Sequence, residues 1–474
     1  MTDFPTPYVP PEPFAQPPAP EPSRARERVF GIVISWAVII AVVAFVSVVV
    51  PWLDLRHRMK ETRKATTQPV AVSSPGDDLT LRIMGRYAVG WKAMGSSVAG
   101  EADIGQIIVP QVLETAKSPT DRIKAATVIA ELDGPKRAVE LIKESLPKVS
   151  PAVRADGEIL LRLYRDGAKL SDAERQKLAK DLGWFGELAS GYGQPDTDPM
   201  RSEAMALAKR TSLALVSALF VVGFALLAGV VMLIVAAVLF FSGRLRGRYE
   251  RPTSIAGPFV EAFALYIVLF MAGSIVIGLI THGESIAWSL LLTVLLPLAW
   301  IWPRVRGVPR EEIWRALGWS RGRGVLKEIG CGILGYITGL PVIAIGMLLV
   351  MVLVLISKSS PSHPIQNELS TAPMRVLELY IIAAVWAPVF EETMFRGALF
   401  SFMRSRFRWL FSASIVALIF AMIHPQGWTT WPALFAIAMV LAGIREWRGS
   451  IIGSMTAHAL HNGMLVTILI FAVA

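Results

Sequence analysis

Between Ser212 and Phe241 the chain runs for thirty residues without one charged side chain. Inside a bilayer such a run has no water for its amides, so only a helix or a closed barrel satisfies every N–H and C=O. About twenty apolar residues suffice for a helix to cross the hydrocarbon. Comparable runs fall at about 29–52, 258–280, 286–302, 329–357, 376–400, 409–424, 431–444 and 450–473. The pattern predicts an all-α, polytopic helical membrane protein with about nine transmembrane helices and an extramembrane helical domain between the first and second. Composition agrees, with 53% hydrophobic and only 18% charged residues in 474.

The formal charge of +10 would suggest nucleic acid in a soluble protein. Here its distribution explains it instead. The breaks 243–254, 303–328, 396–408 and 445–448 hold seventeen Lys and Arg, and the breaks 281–285, 358–375 and 425–430 hold two. Basic loops stay cytoplasmic, so the N-terminus is expected inside, with the 55–210 region and the C-terminus outside, and no nucleic-acid partner. Arg56, Arg58, Lys60, Arg63 and Lys64 oppose that orientation of the first span, although long domains translocate largely regardless of charge. The single cysteine, Cys331, excludes disulfides and Cys-based zinc sites.

The chain divides accordingly. Residues 1–28 are expected to be a disordered, Pro-rich cytoplasmic tail, since nine prolines among the first 25 residues oppose helix and sheet. Residues 29–52 form the first transmembrane helix; a cleaved signal peptide is the rival reading, against which stand the length of the run and the lack of a small-residue cleavage site. Residues 55–210 read as a soluble helical domain. Ser118-Pro119 and Ser150-Pro151 start helices, Gly134-Pro135 breaks one, and Ser171 to Glu174 reads as a capping box. Helix pairs recur at about 30 residues, which leaves a repeat array and a plain bundle both open. Residues 211–254 hold a long second transmembrane helix and a basic loop, and 255–474 the membrane core. Within that core, Arg310 to Trp319 reads as an amphipathic helix in the cytoplasmic interface.

Charges within the core need a reason, because an ionisable side chain at mid-bilayer costs at least about 2.5–3.5 kcal/mol. Glu391, Glu392 and Arg396 lie inside the 376–400 run. On a helix Glu392 and Arg396 stand at i and i+4 and can pair, whereas Glu391 points about 100° away. His424 ends the next apolar run, and His458 and Asn462 share one face of the last.

This succession of EExxxR, FxxxH and HxxxN, with Ala387-Pro388-x-x-Glu391-Glu392-x-x-Phe395-Arg396-Gly397 and Gly449-Ser450-Ile451 ahead of His458, resembles the CPBP family. That family comprises the type II CAAX prenyl endopeptidases and proteins similar to lysostaphin resistance protein A. The resemblance covers roughly residues 255–474. It implies an intramembrane endopeptidase in which Glu391 and His424 hold the catalytic water and His458 and Asn462 form the oxyanion site. Glu392 and Arg396 match the remaining motif positions, with a structural ion pair expected.

Such residues fit peptide hydrolysis, which needs an activated water and donors facing the developing oxyanion. One carboxylate and two histidines are also a workable zinc set, Glu391, His424 and His458. The chain lacks HExxH, so no required cofactor is the preferred expectation and a divalent metal such as zinc the alternative. His461 is either an accessory ligand or a packing residue. The expected substrate is a membrane-embedded or lipid-anchored protein in a bacterial cytoplasmic (inner) membrane, with a protein partner for the 55–210 domain a further expectation. A proton-coupled transporter and a catalytically idle scaffold are the alternative functions; a transporter predicts an inverted repeat, and no second EExxxR segment occurs.

Overall fold

The computed structural model describes residues 22–52, 56, 75–95, 104–251, 256–281, 292–357 and 373–473. Every regular element among them is helical. Five helices are long and apolar enough to cross a membrane: Val29–Trp52, Pro199–Phe241, Gly257–Ile280, Val325–Ser357 and Trp428–Arg448. Three further expected spans are also helical, in the stretches 373–406, Trp409–Met422 and Ile452–Val473. The run 286–302 lies partly outside the described residues; its remainder is split by Pro297 into Leu292–Leu295 and Pro297–Val305. Most of the Pro-rich tail is likewise outside them. The first helix starts at Pro22 rather than Val29, since proline is well accommodated in a first helical turn.

The extramembrane unit is built as its punctuation suggests. Ser118 and Ser171 each form a complete capping box, with Asp121 and Glu174 respectively. The helices Pro119–Asp133, Pro151–Asp166 and Asp172–Leu182 share one core with Pro75–Gly95, including Leu81, Ile129, Leu160 and Leu178. Burying each such side chain stabilises by about 1.5–3 kcal/mol. Pro75–Gly95, at the start of the unit, packs along Pro199–Phe241, at its end. The unit therefore closes as a bundle instead of extending as an open repeat.

The second expected span does not begin at residue 212. It continues the domain, because Pro199–Phe241 is one helix of 43 residues. At 1.5 Å per residue it is about 65 Å long, twice the hydrocarbon thickness. Its first turns bury Ala204 and Ala208 in the bundle core, while Ser212 Oγ donates to Tyr87 O at 2.8 Å. The bundle thus stands on the membrane part through a continuous helix, and Pro75–Gly95 also touches the last helix, Ile452–Val473.

Membrane helices gain little from hydrophobicity against lipid and pack through small residues. Val325–Ser357 shows this: a Cβ at Gly332 would lie 2.4 Å from Gly453 O. At the opposite end from the bundle, the basic segments converge. The amides of Arg248 and Tyr249 donate to Glu446 O, Arg404 pairs with Glu446, and Ser401 Oγ donates to Ala316 O at 2.7 Å. Four of the seventeen cations counted as loop charges are in fact buried: Arg396, Arg404, Arg445 and Arg448. Removing them leaves thirteen against two, the same bias. The helix expected at the interface is Arg310–Leu317, with Ile313, Ala316 and Leu317 buried and Trp314 exposed.

Candidate active site

The stretch Pro373–Arg406 is not uniformly α-helical. Wide π turns at Ile381–Trp386 and Thr393–Leu399 flank the α-helical Ala387–Glu392. Pro388 accounts for the first. It has no N–H, and in the π register the carbonyl left without a donor is five residues back, at Ala383. Asn462 Nδ2 fills that place at 2.8 Å, leaving its other N–H without a protein partner among the described residues. In the second π turn Thr393 Oγ1 donates back to Val389 O at 2.6 Å and receives Trp319 Nε1 at 3.2 Å. Gly397 lets the helix Arg310–Leu317 approach, since a Cβ there would lie 2.8 Å from Leu317 O.

Glu392 and Arg396 form the expected ion pair at 2.9 Å, with both side chains fully buried. Arg396 also lies 4.7 Å over the Phe420 ring and donates to Ala438 O. An ion-paired carboxylate only accepts hydrogen bonds, so the 3.0 Å contact between Glu392 Oε1 and His458 Nδ1 puts the proton on Nδ1. With the ring neutral, His458 Nε2 is then an acceptor, whereas the oxyanion role expected from sequence calls for a donor. Nε2 faces Glu391 Oε2 at 3.9 Å. Glu391 is half-buried, and its Oε2 has no hydrogen-bond partner.

His424 is fixed in the same way. Its Nδ1 bonds to Phe420 O at 2.5 Å, which leaves Nε2 as an acceptor, and its ring packs 4.4 Å from Phe420. Phe420 packs against both His424 and His458. The structure therefore brings Glu391, Glu392, Arg396 and His458 into contact, with His424 one ring away and Asn462 one helical turn beyond His458. His461 turns aside to Tyr336 OH at 3.0 Å, the packing role of its two expected ones.

Among the described residues no three His, Cys, Asp or Glu side chains converge as a metal-binding group. Arg445 was missed by sequence reasoning, which counted it as a loop charge; it is buried and donates to the backbone of Arg396. Its only signal was its place within four residues of an apolar run.

No curated protein and no solved structure matches the chain. Residues 373–464, which contain all six motif residues, match the family model described as type II CAAX prenyl endopeptidase Rce1-like. The matched segment is narrower than the 255–474 suggested by resemblance, and covers the helices that carry the charged cluster and its histidines. Residues 373–464 are thus similar to an Rce1-like domain, in agreement with the resemblance that the motifs carry.

Proposed function

We propose that this protein is an intramembrane endopeptidase that hydrolyses a peptide bond of a membrane-embedded or lipid-anchored protein with a water activated by Glu391. One observation carries the reading. Two acceptors, Glu391 Oε2 and His458 Nε2, face each other across 3.9 Å. A water donating one hydrogen to each would present its lone pair to a scissile carbonyl. Glu391 takes the water proton, the hydroxide adds to the carbonyl carbon, and the free N–H of Asn462 stabilises the oxyanion. The C–N bond then breaks, and the leaving nitrogen takes the proton from Glu391. A positioned general base of this kind contributes about 10²–10⁴ in rate.

The remaining residues have supporting roles. His424, whose Nδ1 is held by Phe420 O, helps orient the water through Nε2. Arg396 pairs with Glu392, and Glu392 holds the His458 ring and its tautomer, as carboxylates do for metal-ligating histidines. No metal enters the step. The site lies within the bilayer of a bacterial cytoplasmic membrane, with the bundle on the outer side serving to bind a protein partner.

Quantitative proteomics of membranes carrying wild type or Glu391→Ala tests the activity and identifies substrates. Fragments that appear only with wild type are expected; identical peptide patterns would refute the proposal. Elemental analysis with chelator treatment tests the metal-free step. Well under one metal per chain and retained cleavage are expected. Stoichiometric zinc lost in His424→Ala would instead make His424 a ligand.

A further inference from the structure

Arg445 is buried to 1% exposure, yet among the described residues it touches no carboxylate. Its neighbour Glu446 is turned away to Arg404, with contacts of 2.7 and 2.9 Å. Instead the guanidinium donates to three backbone carbonyls: Nε to Arg396 O at 3.2 Å, Nη2 to Ala316 O at 3.0 Å, and Nη1 to Gly449 O. Its face lies 4.9 Å over the Tyr249 ring, and Tyr249 OH bonds to Ser401 Oγ at 2.8 Å. A buried cation without a counter-ion is costly unless dipoles compensate it. Here the compensation comes from carbonyls at places where helices leave them without partners: the ends of Arg310–Leu317 and Trp431–Arg448, and the π turn Thr393–Leu399.

The third of these carbonyls belongs to Arg396, which is thereby held at both ends. Its backbone is fixed by Arg445, its side chain holds Glu392, and Glu392 holds the His458 ring. We infer that Arg445 is a positioning residue for the Glu391, Glu392 and His458 cluster, acting through the backbone of Arg396 to keep the π turn open. A π turn contains one residue more than the α turn it replaces. Closing it rotates the helix before it by about 100° per residue of register, which carries Glu391 and Glu392 off the face that meets His458. The inference rests on the proposed roles of those residues only for its meaning; the geometric claim stands apart from any activity.

Full-length protein in lipid nanodiscs, labelled with ring-¹⁵N histidine, tests it. The hydrogen-bonded Nδ1–H resonance of His458, assigned by its loss in His458→Gln, reports the Glu392 contact directly. Arg445→Met is expected to abolish this resonance, and Arg445→Lys, which keeps the buried charge but fewer donors, to shift it. Arg448→Met is the control, since it breaks the buried Glu328 pair at the same helix end without touching the π turn. It is expected to lower the melting temperature while leaving the resonance in place. An unchanged resonance in Arg445→Met, or its equal loss in Arg448→Met, overturns the inference. If Arg445→Met does not fold, Arg445→Lys decides: a shifted resonance supports the inference and an unshifted one overturns it. Because no substrate is needed, absence of Glu391-dependent cleavage would sink the proposed function and leave this result intact.

Discussion

Two regions of this molecule treat charge in opposite ways. In the bundle, residues 75–210, ion pairs such as Arg137–Asp133 and Arg165–Asp166 have side chains about half exposed. In the 373–464 domain, Glu392 and Arg396 are wholly hidden, and Arg448 with its partner Glu328 from a neighbouring helix is nearly so. Water stabilises the first kind of charge whether or not it is paired, so such pairs contribute little. The second kind depends on its partner or on nearby dipoles, so removing the partner is costly. Glu391 is the carboxylate of this cluster that no ion pair to lysine or arginine occupies.

The comparison is broken most severely by stranding a charge. Arg396→Ala should destabilise by about 3–5 kcal/mol, because Glu392 is left buried without its counter-ion. Thermal melting in detergent or nanodiscs measures this, and activity should fall with it. Replacing both partners by Leu and Met should restore most of the stability but not the cleavage, since His458 then lacks its anchor. A stable, inactive Arg396→Ala would point to direct contact with substrate.

In the bundle a smaller polar effect is expected at a cap. Ser118 is buried and receives the Asp121 N–H at 3.0 Å. Ser118→Ala should cost about 1 kcal/mol, read from urea unfolding followed by a bundle tryptophan. The second capping box should respond to acid. The Ser171 amide, then Arg162, hold the Glu174 carboxyl down at about 2, against 4.5 ordinarily. A depressed acid stabilises the fold above its unfolded value, and that contribution is lost as pH falls from about 4.5 towards 2. Glu174→Gln should flatten this part of the stability profile. Smallest of all, Asp133→Asn should change stability by no more than about 0.5 kcal/mol.

The same contrast explains what could be read from sequence. Helices and breaks in the bundle follow local rules, so Ser118-Pro119, Gly134-Pro135 and Ser171 to Glu174 were legible. Apolar length likewise marked the membrane helices, and i, i+4 spacing marked the Glu392–Arg396 pair. What spacing does not carry is the wide turn. The π register at Ile381–Trp386 requires the meeting of Pro388 with Asn462, 74 residues later, and that at Thr393–Leu399 comes with Arg445. The tautomer of His458 was equally hidden, because it depends on which of two adjacent glutamates the ring meets. Nor does an arginine count distinguish a cation in a loop from one closing three carbonyls, which is how Arg445 was placed with the loop charges.

The central claim is that adjacent carboxylates have separate tasks, Glu391 free to take a proton and Glu392 locked in place. It is tested most directly by purified Glu391→Gln beside wild type, with cleavage of a substrate identified by proteomics and thermal melting measured on the same samples. The account predicts loss of cleavage with a melting temperature unchanged from wild type. Turnover at the wild-type rate would contradict it.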